Sequence, residues 1–138
     1  MADTSKIRSR LKAVWPDLVY IWFTDREFEI PDDETGMEVI ESALAVEMPK
    51  RNGHKLECEE YALLFHAEMI KQQVKLVSSL SWPVAEVIGT QFKDMGLVGS
   101  HVVNLMVTKN RVLLVDTENK KVWDADPESD DIFFAYFV

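Results

Sequence analysis

One cysteine in 138 residues leaves no partner for an intrachain disulfide and no material for a cysteine-rich zinc site. Basic residues are also short. Fifteen Lys and Arg stand against 24 Asp and Glu, a net charge of -9, so no basic stripe is available for a phosphate backbone and nucleic acid is excluded as a partner. No apolar run approaches the roughly 20 residues of a membrane helix. The opening residues, MADTSKIRSRLK, lack the hydrophobic stretch of a signal peptide, so the expected location is cytoplasmic. Repeats, low-complexity tracts and linker-like composition are absent as well. What remains is an ordinary globular mixture, 47% hydrophobic and 28% charged, read as a single domain over residues 1–138 with a sizeable core.

The most informative stretch is ECEEYALLFHAEMIKQQ, residues 57–73. Tyr61, Ala62, Phe65 and Met69 follow Cys58 at helical spacing, which predicts one apolar helix face with the thiol at its N-terminal end. Before it, Thr4 to Trp15 reads as a helix closed by Pro16, with Lys6, Arg8, Arg10 and Lys12 on a solvated face. LVYIWF, residues 18–23, suits a buried strand. Thr35 and Glu38 have capping-box spacing for a helix from Met37 to Val46. The central helix is expected to fade around Ser78 to Ser81. Strands are then predicted at 84–90, 101–108 and 111–116, with a loop from Lys93 to Gly99 and a two-residue turn at Lys109-Asn110. Val122-Trp123 begins another strand. The acidic loop DADPESDD leads to IFFAYFV, too apolar to be left in water.

That turn sets a register. If Thr108 pairs with Arg111, Val103 faces Asp116 and His101 faces Glu118, all four on one side of the sheet, while Asn104 projects to the other. Both faces of 101–108 are apolar, so the strand is expected to be covered on each side. A thiol at a helix start, a histidine at the head of a strand and an acid on the next strand supply the three parts of acyl transfer. Cys58 would attack, His101 would carry the proton, and Asp116 or Glu118 would orient the imidazole.

The segments ECEEYALLFHAEM, GSHVVNLMV and VLLVDTENKKVW resemble a pattern of small bacterial and phage proteins: DCDDFA, then HAxN, then an acid-Pro-Gln-Thr segment. The pattern is similar to the calcium-dependent, papain-like cysteine protease domain of certain fungal agglutinins. It spans about Leu56 to Trp123. The resemblance implies a nucleophile at Cys58, a base at His101 and a third member at Asp116, with Glu59, Glu60 and Glu118 at positions that help bind calcium. Glutamates stand here for the pattern's aspartates, and Thr117-Glu118 for Pro-Gln. A divalent ion would also cancel the acidic field of Glu57, Glu59 and Glu60, which otherwise raises the pKa of the Cys58 thiol.

Plainer readings stand beside these. A lone cysteine on an apolar helix face suits a small core side chain. Glu59 and Glu60 suit first-turn acids, Asp116 a turn residue and Glu118 a solvated loop acid. His54 and His66 read as structural or incidental, and the four tryptophans as core or rim. The sequence thus leads to an α+β fold: an antiparallel sheet of four or five strands packed against helices in a papain-like or transglutaminase-like arrangement. The expected function is a cysteine peptidase or amidase acting on a peptide or other amide, calcium-dependent if Glu59, Glu60 and Glu118 hold the ion. The alternative is a catalytically silent binding or structural module, such as a phage accessory protein, on the same fold. A third reading is an acidic protein that binds a basic partner.

Overall fold

Asp3 caps the first helix by accepting the Lys6 N–H, and α1 then runs over Thr4–Val14 until Trp15 and Pro16 end it. The computed structural model describes residues 2–76 and 80–138, with backbone alone for 96–98. The other helices are α2, Asp33–Leu44, and α3, Cys58–Lys75. The strands are β1 (Ala2–Asp3), β2 (Tyr20–Phe23), β3 (Glu27–Phe28), β4 (Val84–Phe92), β5 (Gly96–Val107), β6 (Val112–Asp116), β7 (Lys121–Asp124) and β8 (Asp131–Phe137). β1 and β3 form a two-stranded ribbon, and the other six form one sheet in the order β2-β8-β4-β5-β6-β7.

The α+β class holds, with two corrections to the expected sheet. It has six strands, and it is mixed: β2 runs parallel to β8 while the remaining pairs are antiparallel. β2 is an edge strand with Tyr20 and Trp22 exposed, so the expectation of a fully buried strand at 18–23 fails. Edge and central strands share the same β-branched and aromatic composition, and only their neighbours distinguish them. The expected loop from Lys93 to Gly99 is shorter too, because β5 begins at Gly96. The expected helix end at Ser78 to Ser81 falls partly on residues 77–79, which lie outside the described residues; α3 itself ends at Lys75, with the Leu76 N–H reaching back to Gln73 and Val74.

Side-chain alternation divides the sheet into two faces, both covered. On one, Ile7 and Leu11 of α1 join Trp15, Leu18 and Phe28 against Ala85, Val87, Val103, Leu105, Leu114 and Phe137. On the other, Ile40 and Leu44 of α2 and Phe65 and Met69 of α3 pack on Val84, Met106, Leu113 and Val115. The β5–β6 register is the predicted one, from Val107 opposite Val112 to Asn104 opposite Val115, and the Thr108 N–H closes the turn on the Arg111 carbonyl.

Two helices clasp that turn. Arg10 of α1 donates to the carbonyls of Lys109 and Arg111, so part of the basic face expected to be solvated has a structural task. α2 begins at Asp33, not near Met37, because the Asp33 carboxylate is fixed from outside the helix. It accepts the Thr108 hydroxyl at 2.7 Å, the Asn110 N–H at 2.9 Å and the Asn110 amide at 3.2 Å. The Thr108 hydroxyl first, then the Asn110 N–H, hold its carboxyl below the ordinary carboxylate range. A carboxylate depressed in the folded state stabilises above its unfolded pKa, and that contribution disappears as pH falls through the folded value. The urea midpoint is therefore expected to drop between pH 7 and pH 3, and to drop less in Asp33→Asn. Equal drops would show that this carboxylate carries none of the acid sensitivity.

Candidate functional site

A narrow crevice lies where the N-terminal turn of α3 meets the ends of β5 and β6. It is too tight for a water molecule, with Cys58, Tyr61 and Ala62 on the helix facing residues 101–104 and 116–118 on the strands. Four of the six candidate residues therefore gather in one place: Cys58, His101, Asp116 and Glu118. Glu59 and Glu60 occupy the same helical turn as Cys58 without lining the crevice.

The parts are assembled without being connected. His101 pairs with Gly89 across β4–β5 and shares its face with Val87 and Val103, the face that carries α1. Its ring meets Phe92 edge-on at 5.9 Å, an approach that Gly89 permits, since a Cβ there would lie 2.6 Å from the Phe92 ring and from the Asp131 carbonyl. Cys58 rides on α3, over the opposite face, where the Asn104 amide donates to the Ala62 carbonyl at 3.0 Å. No hydrogen bond among the described residues joins thiol and imidazole. The thiol is oriented instead toward the Glu59 carboxylate at 3.5 Å. Burial pushes the Cys58 thiol above its ordinary pKa; the Val102 backbone opposes this, and the Glu59 carboxylate adds to the rise. A thiol held protonated is a poor nucleophile.

The acids are engaged elsewhere. Asp116 is buried and accepts the Asn119 amide at 2.7 Å, so it caps the β6–β7 turn and no bond to His101 is present. Glu118 stands 4.0 Å from the Lys55 ammonium. One Glu60 oxygen accepts the Glu57 N–H, and the other binds Arg51. Among the described residues no three His, Cys, Asp or Glu side chains converge where a metal ion could sit. As arranged, Glu59, Glu60 and Glu118 do not fit a calcium cage, which needs six to eight oxygens around one point.

Polar atoms of a different kind mark the crevice. Among the described residues, Asn104 Oδ1, Thr117 Oγ1 and His101 Nε2 are each buried without a protein partner, and all three belong to lining residues. The signal for Asn104 was present in HVVNLMVT as a single amide in an apolar strand, and the predicted projection to the far face is what the register produces. Thr117 gave no signal, being one polar residue among several at a turn. Farther along α3, His66 Nδ1 lies 2.6 Å from Glu86 Oε1 of β4 in a buried pair that ties helix to sheet.

No family model matches the chain, and no curated protein sequence is detectably similar to it. Solved structures do match its fold. The Polyporus squamosus lectin PSL1a in complex with E64 superimposes with a TM-score of 0.69 at 15% identity, over 99% of this chain and 51% of that one. The Polyporus squamosus lectin bound to the human-type influenza-binding epitope Neu5Aca2-6Galb1-4GlcNAc gives 0.65 at 14%, over 99% and 49%. The chain spans about half the length of each of these lectin chains. This finding corrects the expected family, activity and partner together. The neighbours are lectins, one of them holding a glycan, which speaks against a papain-like Cys–His domain, a cysteine peptidase or amidase, and a peptide substrate. No helix among the described residues is long and apolar enough to cross a membrane.

Proposed function

We propose that this chain is a binding module that recognises carbohydrate without turning it over, and that the crevice at the head of α3 receives a side group of the sugar. The observation that carries the proposal is a pair of buried polar atoms that line the crevice without a partner among the described residues: Asn104 Oδ1 and Thr117 Oγ1. Leaving such an atom unpaired costs about 1–3 kcal/mol, and folded proteins rarely do so. A sugar hydroxyl both donates and accepts, so it can satisfy an amide oxygen and a threonine hydroxyl alike. Size limits what can enter. As it stands the crevice has no room for even a water molecule, far short of the roughly 300 Å³ at which small-molecule pockets begin. It is too small for an oligosaccharide and suits a single substituent admitted as the lining side chains part. The glycan held by one of the lectins of like fold points to the same ligand class. The single free thiol suits a cytoplasmic setting, which belongs to the same proposal.

The test has two arms. A glycan array followed by calorimetric titration should find a ligand, and Thr117→Val, which keeps the shape and removes one hydroxyl, should weaken it about fivefold. An empty array, or a ligand indifferent to Thr117→Val, would count against the crevice. In the second arm, iodoacetamide should modify Cys58 slowly at neutral pH and faster only in alkali, at the same rate in His101→Ala. A fast reaction at pH 7 that depends on His101 would restore a connected thiol and remove the claim of no turnover.

A further inference from the structure

The sheet face that carries α2 and α3 is only partly covered. α3 lies over β4 and β5 with α2 at its side, and β8 and β2 extend beyond the two helices. Opposite residues share a face, so Glu86, Tyr136 and Trp22 stand in one row across β4, β8 and β2, and Ile88, Phe134 and Tyr20 in the next. Tyr20 and Trp22 are 62% and 60% exposed. The near flank of α3 is apolar too. Leu63, Ile70 and Val74, spaced by seven and four residues, form one stripe that is 59%, 47% and 69% exposed. The His66–Glu86 pair fixes which flank this is, since it lies between the stripe and β4. Ile70 and Val74 border one depression with Thr24 and Val138, the residues that follow β2 and β8. The result is an aliphatic ridge beside an aromatic trough.

We propose that this face docks a second copy of the chain in a two-fold dimer, the ridge of each protomer seated in the trough of the other. The two halves lie side by side on one surface, which is the arrangement that an isologous contact requires. The area is right as well. With 150–250 Å² for each aromatic side chain and less for each aliphatic, the five exposed residues offer on the order of 500 Å² of apolar surface. That is at the upper end of what a monomer leaves bare, and with a polar rim it approaches the roughly 800 Å² per partner of a standard interface. Charge favours self-association over a basic partner, because these five side chains carry none and one oxygen of the Glu86 carboxylate beneath them is already paired with His66. Pairing edge to edge through β2 is opposed by Arg8, whose guanidinium reaches the Ile21 carbonyl of that strand.

Sedimentation velocity of the full chain from 1 to 200 µM, at low and high salt, tests the proposal. A concentration-dependent dimer is expected, and added salt should tighten it, because salt screens the repulsion between two acidic protomers without weakening apolar contact. Trp22→Lys and Ile70→Lys change exposed side chains on different elements, and each is expected to raise the dimer Kd by about 30-fold or more, the loss typical of an interface hot spot. Circular dichroism confirms that each variant is folded. A chain that stays monomeric at 200 µM, or a dimer that both variants leave intact, overturns the inference. Association that salt weakens does so too, since it would place the contact among charged groups.

Discussion

Replacing Asp130 by alanine is expected to destabilise the protein by about 3–5 kcal/mol, although the residue sits in a loop that looks fit only for solvent. Its side chain is 1% exposed and accepts three donors: the Lys93 N–H at 2.8 Å, the Asp126 N–H at 2.9 Å, and the Trp123 indole at 3.1 and 3.2 Å. Its backbone carbonyl takes a fourth, the Trp15 indole, at 2.9 Å. Asp130 therefore joins the β4–β5 turn, β7 and the end of α1 at one buried point. Alanine would strand three donors at once, and buried donors without acceptors cost more than the bonds they formed. An asparagine side chain would keep one acceptor oxygen, so Asp130→Asn should lose clearly less. Urea unfolding of both variants settles it, and a loss below about 1 kcal/mol for the alanine would mean that water or rearrangement replaces the hub.

Phe137→Ala should cost a similar amount, about 3–5 kcal/mol, by a different mechanism. Phe137 is fully buried near the end of β8, stacked on Phe23 at 5.1 Å and edge-on to Phe28 at 6.1 Å. Its carbonyl accepts the Thr24 N–H, which closes the parallel pair. Losing the ring leaves a cavity beneath β2 and removes aromatic contacts worth about 0.5–1.5 kcal/mol each beyond area. Hydrogen exchange should show the loss concentrated in residues 20–24, with β5 and β6 still protected close to the global limit. Uniform acceleration across the sheet would instead indicate that β2 is not a separable unit.

How far the sequence spoke for itself depended on the range of the forces involved. The α1 and α3 helices and the β5–β6 register were legible because periodicity and a two-residue turn are local signals. The start of α2 was not, since Asp33 is held by Thr108, 75 residues away. Asp130 was hidden for the same reason: a carboxylate in DADPESDD is indistinguishable from its solvated neighbours until Lys93 and Trp123 arrive. The candidate site is more instructive. Alternation along β5 and β6 puts His101, Val103 and Asp116 on one side and Asn104 on the other, while Glu118 lies beyond β6 in the turn. It could not say which side α3 would occupy, and α3 lies with Asn104. Strand parity alone does not fix which face a neighbouring helix covers.

The strand order carries a consequence for how the chain is made. β8 is the last strand in sequence, yet it lies inside the sheet, between β2 and β4. Until it emerges, β2 has no strand to join, and α1 and Trp15 have no Phe137 or Asp130 to pack on or bond to. A growing chain can form the β4–β7 meander early, while α1 and β2 wait, apolar and unpaired, for the final strand. Such long-range closure is slow and leaves hydrophobic segments open to misassociation during synthesis. Stalled or shortened chains lacking IFFAYFV should therefore be the species that chaperones capture.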